Sequence, residues 1–173
     1  PGHGLPTSAV LEPGDLLHVD FGAKVEGYCA DIQRLAYFKK SEENDAPEVL
    51  KRGFETVKKA IDNAIPSYKT GELGVDIDTA ARKVLTDAGY PEYQHSLGHQ
   101  IGRLVHDGGS RVGPVYEVSD FTAKIPLVAG NTFTVELGVS IENIGYVGLE
   151  EDILVTDNGG RLLANRQDQL III

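Results

Sequence analysis

A single cysteine and a complete lack of methionine and tryptophan mark this 173-residue sequence. One thiol, Cys29, excludes an internal disulfide and fits a reducing compartment, so we expect a cytoplasmic protein. Apolar runs are short, and none approaches the roughly 18 residues that indicate a membrane-spanning helix, so we expect no membrane partner. Basic residues are also few, with 16 Lys and Arg against 26 Asp and Glu and a net charge of −10. Because phosphate binding requires a basic surface, this balance argues against a nucleic-acid partner.

The rest of the composition is that of an ordinary globular protein, with 41% hydrophobic and 24% charged residues. A chain of this length fits one domain with its own core, and we assign residues 1–173 to that domain. The sequence begins at Pro1 and contains no methionine, so we expect further sequence upstream of it.

Two hairpin patterns enclose two helical patterns along the chain. Residues 15–38 and 131–156 are rich in branched and aromatic residues, which favours β-hairpins. Apolar residues at helical spacing predict helices over 47–64, with Asp45 as N-cap, and over 76–88. The order of hairpin, two helices and further strands indicates an α+β fold with a mainly antiparallel sheet.

Each hairpin carries two acids within apolar arms. If the first turns over residues 24–27, Asp20 lies opposite Asp31, and if the second turns over 142–145, Glu136 lies opposite Glu151. Opposed like charges destabilise a ladder, and a buried carboxylate without a partner either protonates or acquires a cation. A single acid of this kind is as often a surface residue, but two such pairs favour a metal site.

A histidine would complete this site. His99 has glycines close on both sides, at Gly98 and Gly102, which allow the backbone to approach closely. Four carboxylates and one imidazole form an oxygen-rich site without thiolates, which suits Mn²⁺, Co²⁺, Fe²⁺ or Zn²⁺ better than a structural zinc. Four carboxylates exceed the needs of one divalent ion, so we expect two ions with bridging carboxylates.

Taken together, these segments resemble the creatinase/aminopeptidase, or pita-bread, family of metallopeptidases. Residues 18–22 and 27–34 are similar to the family's D-x-G and G-Y-x-x-D-x-x-R motif, with the same spacing of 11 between the acids. Residues 95–102, followed by His106, are similar to H-x-x-G-H-G-I-G and its downstream histidine. Residues 134–136 resemble T-[IV]-E, and residues 150–156 resemble I-E-D-x-x-L-V-T with the final ligand at Glu151.

The resemblance implies a curved, mainly antiparallel sheet with helices on one face, here without its N-terminal elements. It implies two divalent ions, Mn²⁺ or Co²⁺ first and Fe²⁺ or Zn²⁺ as alternatives. It places Asp20 on one ion, His99 and Glu136 on the other, and Asp31 and Glu151 as bridges.

Substrate-facing roles also come from the resemblance alone. Glu136 would help to handle the proton of the attacking water, His106 would hydrogen-bond the substrate near the scissile carbonyl, and His3 would line the pocket. The implied activity is removal of an N-terminal residue from a peptide. Family members commonly form dimers, so the resemblance leaves a homodimer as one possible assembly.

The segment His3-Gly4-Leu5-Pro6-Thr7 looks more like the Xaa-Pro peptidase branch, which includes prolidases and aminopeptidase P, than like the methionine aminopeptidases. Gln100 replaces the glycine that usually follows the histidine ligand, and Leu137 replaces a proline usual in that branch. Because both are expected in the pocket, methionine aminopeptidase-type specificity stays an alternative. Two further alternatives are a non-catalytic peptide- or protein-binding module and a metal-independent, creatine-type hydrolase.

Overall fold

The structure, a computed structural model, describes residues 8–117 and 120–173. Its strands and helices follow the predicted order of hairpin, two helices and a second hairpin. In chain order they are β1 (Leu16–Val25), β2 (Tyr28–Tyr37), α1 (Glu48–Ala64), α2 (Gly74–Asp87), β3 (Gly98–His99), β4 (Arg111–Val112), β5 (Thr132–Ile141), β6 (Gly145–Thr156), β7 (Gly159–Leu162) and β8 (Ile171–Ile172).

The first hairpin turns more tightly than the sequence predicts. Val25 pairs with Tyr28, which leaves a two-residue turn of Glu26 and Gly27 at φ values of 51° and 89°. Two consecutive positive φ values are typical of a type I′ turn, whose twist matches that of the flanking strands. The predicted turn over 24–27 is therefore wrong, and the register shifts by two residues.

The loop of the second hairpin is one residue shorter than the sequence predicts. Ile141 pairs with Gly145 across a three-residue loop in which Asn143 has a φ of 60°. The predicted turn over 142–145 is wrong by one residue. A shift of one residue moves side chains to the opposite face of a strand, so this difference changes the membership of the site.

The principal sheet is mixed but mainly antiparallel. Its strand order is β1-β2-β6-β5, with β7 added beside β6 and β8 beside β2. Among the strand pairs of the described residues, β2–β8 is the parallel one, and an isolated bridge between Lys69 and Thr156 is also parallel. The central position of β2 and β6 brings both hairpins into one surface.

Helix α1 packs against the β5–β6 hairpin. Because side chains alternate along a strand, Phe133, Val135, Leu137 and Val139 enter the core while Glu136 lies on the other face. The helix contributes Leu50, Phe54, Val57 and Ile61 to the same core.

The helix boundaries lie close to the predicted ones. Helix α1 begins one residue after the predicted start and follows Pro47, not Asp45, at its N-cap. The predicted capping role of Asp45 is wrong, because its carboxylate accepts from Ala46 N and pairs with Lys51. Helix α2 begins two residues before the predicted start and ends at Asp87. No helix in the described ranges is both long and apolar enough to cross a membrane.

The segment that includes β3 runs along the outer edge of β5. Glu136 N donates to Leu97 O at 2.7 Å, and Ile101 N donates to Thr132 O at 3.1 Å. These bonds place His99 beside Glu136, although 37 residues of sequence separate them. The edge of β5 thus positions the histidine of the predicted site.

Candidate metal centre

Carboxylates from the two hairpins meet a histidine from the segment beside β5. Asp31, His99 and Glu150 each offer a ligand atom within 4.8 Å of the others. His99 Nε2 lies 3.8 Å from Glu136 Oε1 and 4.0 Å from Asp31 Oδ2. The described residues therefore bring three predicted ligands, Asp31, His99 and Glu136, into one cluster, together with Glu150.

A row of residues across three strands builds the base of this cluster. Gln33 on β2 lies opposite Glu150 on β6, and Glu150 lies opposite Glu136 on β5. Facing residues in such a ladder have Cβ atoms about 4.5–5.5 Å apart, so the two glutamates are held close together by the backbone.

Asp20 also faces this cluster, but not through the predicted pairing. It lies opposite Gln33, and Asp31 lies opposite Gly22, so the predicted pairing of Asp20 with Asp31 is wrong. Because the register shift is two residues, both acids stay on one face as diagonal neighbours. Burial is the largest cause of the raised pKa values of Glu136 and Glu150, and the negative charges of Asp31 and then Asp20 add to it.

The predicted pairing of Glu136 with Glu151 is wrong as well. Val135 lies opposite Glu151, and the Glu151 carboxylate accepts from Arg34 Nη2 at 2.9 Å and from Gln167 N at 3.4 Å. Burial raises the pKa of Glu151, and the Arg34 guanidinium counteracts that shift. The structure thus turns Glu151 toward a cation of the protein itself and brings Glu150 to the cluster.

Burial and mutual repulsion oppose the ionisation of the carboxyl groups in this cluster. Burial, followed by the neighbouring carboxylates, raises the pKa values of Glu136 and Glu150 well above the ordinary glutamate value. Burial also raises the pKa of Asp152, whose carboxylate accepts from Asp31 N, to about 6. No hydrogen-bond donor among the described residues reaches the buried Glu150 Oε1. An orphaned carboxylate oxygen among several acids fits a divalent cation that prefers oxygen ligands.

The orientation of His99 also suits a cation. Its Nδ1 lies 3.2 Å from Gln100 O, a pure acceptor, which favours the tautomer with the proton on Nδ1 and the Nε2 lone pair on the side of Asp31 and Glu136. Burial lowers the pKa of His99, and the nearby His106 lowers it further. A neutral imidazole with one nitrogen held by a carbonyl is the usual state of a histidine ligand.

His106 covers this histidine from the solvent side. It is exposed, and its ring centroid lies 4.2 Å from that of His99. The loop that carries it is tied to the β1–β2 tip, because Cys29 N donates to Gly102 O and Lys24 Nζ donates to Arg103 O, both at 2.7 Å. His106 is therefore held beside the cluster while remaining open to solvent.

A pocket of about 440 Å³ opens between this loop and the hairpin tip. Most of its lining residues are small or aliphatic, and two are charged: Gly22, Ala23, Cys29, Ala30, Leu104 and Val105, with Lys24 and Asp31. A mainly apolar pocket beside a polar cluster is a typical arrangement for binding a small ligand.

One predicted site residue lies outside the described part of the structure, and two residues of the site were not predicted. His3 lies outside the described residues, so its predicted pocket role is unaddressed by the structure. The sequence analysis missed Glu150 and Gln33. A three-residue loop centred on Asn143, a residue that tolerates positive φ, would have predicted Glu150 in place of Glu151. No comparable signal marks Gln33.

Comparisons with known proteins agree with this geometry. Residues 2–157 match the model of metallopeptidase family M24. The Xaa-Pro dipeptidase of Pyrococcus horikoshii is 34% identical over 170 residues, which cover 98% of this chain and 45% of that protein. A putative dipeptidase of Bacillus subtilis is 35% identical over 99% of this chain and 44% of its own length.

A solved structure gives the same result. The X-Pro aminopeptidase of Thermotoga maritima superposes with a TM-score of 0.85 at 31% identity, covering 99% of this chain and 45% of that one. The chain thus spans less than half the length of these relatives. The expected pita-bread architecture is confirmed, and the chain belongs to metallopeptidase family M24.

Proposed function

We propose that this chain carries the dinuclear metal site of an exopeptidase that removes the N-terminal residue of peptides, with Xaa-Pro peptides as substrates. The observation that carries the proposal is the convergence of Asp31, Glu136 and Glu150 on the imidazole of His99. Family membership and relatives named Xaa-Pro dipeptidase support it.

The proposed ligands are those of the cluster together with Asp20. Asp20 would serve one ion, His99 and Glu136 the other, and Asp31 would bridge. Glu150 would take the bridging role that the sequence resemblance gave to Glu151, because Glu150 lies opposite Glu136 and Glu151 is bonded to Arg34. Oxygen-rich ligands with one imidazole favour Mn²⁺ or Co²⁺, with Fe²⁺ or Zn²⁺ as alternatives.

Divalent cations at this site would supply an activated water near neutral pH and a Lewis acid for the peptide carbonyl. The protein's own groups would handle the substrate. Glu136, whose pKa is raised by burial, is suited to exchange a proton with the attacking water. His106, exposed above His99, is suited to hydrogen-bond the carbonyl at the cleaved bond. His3 stays a proposed pocket residue on the resemblance alone.

Substrate choice rests on two features. The pocket is lined mainly by small and aliphatic residues, with Lys24 and Asp31 as its charged members, which suits a small and mainly apolar side chain. The names of two relatives, Xaa-Pro dipeptidase and X-Pro aminopeptidase, support proline as the second residue of the proposed substrate. We further propose a single catalytic domain over residues 1–173, a cytoplasmic location and a homodimer as its assembly.

The test is ion content followed by peptide turnover. Metal-free protein loaded with Mn²⁺ and desalted is expected to retain about two ions per folded chain by elemental analysis. Ala-Pro should then be hydrolysed faster than Ala-Ala or a Met-initiated tripeptide, and a chelator should abolish turnover. Asp31→Asn should lose more metal than Asp20→Asn, because the bridging acid serves both ions.

Each other outcome selects an alternative. Two ions without turnover of any peptide would favour a binding module, and preference for the Met-initiated peptide would favour methionine aminopeptidase-type specificity. Turnover that survives the chelator would favour metal-independent hydrolysis. A folded protein that retains no ion would overturn the proposed metal site.

A further inference from the structure

Gln33 is a buried neutral residue in the middle of the acidic cluster. It is 5% exposed, and its Nε2 lies 3.1 Å from Glu136 Oε2 and 2.8 Å from Glu150 Oε2. A carboxamide nitrogen carries two protons, so one group can donate to both carboxylates at once. Gln33 therefore links the two glutamates without adding charge to the cluster.

The hydrogen bonds fix the orientation of the carboxamide. When both glutamates are ionised, as ligands of a cation are, the nitrogen must face the two carboxylates, because the amide oxygen in that place would meet only acceptors. The oxygen then faces His18 Nε2 at 2.9 Å. Since an amide oxygen only accepts, His18 must carry a proton on Nε2. The chain of donors thus runs from His18 through Gln33 to both glutamates.

Neighbouring residues pack closely around Gln33 and His18. A Cβ at Gly148 would lie 2.5 Å from the Tyr146 ring and 2.8 Å from Gln33 Oε1, so a larger residue there would displace one of these side chains. The Tyr146 ring packs edge-on against the His18 ring, with centroids 5.3 Å apart. Gln33 and His18 are therefore both held in place by the sheet that carries the acids.

We propose that Gln33 is a positioning residue for both glutamate ligands and that His18 orients it. By bonding one oxygen of each carboxylate, Gln33 leaves the other oxygen of each for a cation. Glu136 Oε1 lies 3.8 Å from His99 Nε2, and Glu150 Oε1 meets no donor among the described residues. The inference rests on the proposed metal site and gives a role to two residues outside the ligand set, at positions where the first motif specifies no residue type.

The test is calorimetric titration of Mn²⁺ into the metal-free chain. We expect Gln33→Leu to weaken Mn²⁺ binding by about 10–100-fold, the usual effect of removing a group that orients metal ligands. The same variant loaded with Co²⁺ should show an altered visible absorption spectrum, because the ligand geometry changes. Both readouts are independent of peptide turnover.

Two matched sets of variants separate positioning from general stability. Gln167 is also a buried glutamine, 6% exposed, but it bonds Leu35 N and O, away from the cluster. Gln167→Leu should lower thermal stability and leave Mn²⁺ affinity unchanged. At His18, Phe keeps a ring without a donor and should weaken binding, whereas Gln restores a donor at a similar distance and should recover it.

The outcomes distinguish this inference from the proposed function. Wild-type protein that takes up no Mn²⁺ overturns the metal site itself. Wild-type binding together with unchanged affinity in Gln33→Leu overturns only the positioning role. If Gln33→Leu does not fold, the comparison of His18→Phe with His18→Gln decides, and equal affinities in those two variants overturn the role of His18 and Gln33.

Discussion

Glu136 lies directly across from Glu150 in the β5–β6 ladder, and a single carboxamide bonds both carboxylates. Two acids facing each other on neighbouring strands destabilise a sheet unless a cation or protons compensate them. Among the described residues, no lysine or arginine forms a salt bridge with either carboxylate in the way that Arg34 does with the adjacent Glu151. The contrast between these adjacent glutamates leads to the first prediction.

Glu150→Gln and Glu151→Gln are expected to fail in different ways. Glu150→Gln should reduce the Mn²⁺ retained per chain, because it removes a ligand oxygen, and its fold should persist in chelator. Glu151→Gln should retain metal but lower the free energy of unfolding by about 1–3 kcal/mol, because it removes the charge that pairs with Arg34. Elemental analysis and urea unfolding measure the two effects. Loss of metal only in Glu151→Gln would contradict the assignment.

The metal-free protein should become less stable as pH rises. In the folded state Glu136 and Glu150 have raised pKa values, whereas in the unfolded state they titrate near the ordinary value of about 4.3. Folded protein therefore holds protons that unfolded protein releases, so this stability is complete below that value and is lost as pH rises toward the folded pKa values. Urea unfolding in chelator should give a lower free energy at pH 7.5 than at pH 5.5 by at least about 1.4 kcal/mol.

Metal should reverse this dependence, because cations and protons compete for the same carboxylates. Saturating Mn²⁺ is therefore expected to stabilise the protein more at pH 7.5 than at pH 5.5. The control is Glu136→Gln, which removes one of the two titrating groups and should reduce the slope seen in chelator. An unchanged slope in that variant would mean that other groups cause the dependence.

His106→Ala is expected to reduce turnover without loss of metal. The imidazole lies on the solvent side of His99 and bonds no cluster acid among the described contacts, so its removal should leave the ligands in place. We expect kcat to fall by about 100-fold, the lower range for losing a positioned proton or hydrogen-bond donor. His106→Gln keeps a donor and should recover part of the rate. Equal rates in wild type and His106→Ala at full metal content would exclude the residue from the mechanism.

The turn of the first hairpin should accept a better residue. Glu26 has a φ of 51°, a left-handed conformation that costs an ordinary residue about 1–2 kcal/mol. Asn is favoured there before glycine in a type I′ turn, so Glu26→Asn should raise the free energy of unfolding by about 0.5–1 kcal/mol. Glu142→Asn is the control, because it removes the same charge from the other hairpin loop at a residue without positive φ. Equal gains in both variants would point to charge and not to backbone conformation.

Local sequence determined most of the fold and most of the site. Alternation of apolar and polar residues fixes which way a side chain points within its own strand, and helical spacing fixes the buried stripe of α1. For this reason both hairpins, both helices, and Asp20, Asp31 and Glu136 as acids of one site could be predicted before the structure. His99 was predicted as a ligand from the short motif and the glycines around it, in residues 95–102.

Tertiary structure decided which residues meet across the strands. The partner of Glu136 depends on how many residues form the β5–β6 loop, and a difference of one residue exchanges Glu151 for Glu150. In the first hairpin the difference was two residues, so the same face was kept and the acids stayed in the site. The place of Gln33 between two glutamates from another hairpin could not be read locally, because the β2–β6 pairing joins segments more than a hundred residues apart.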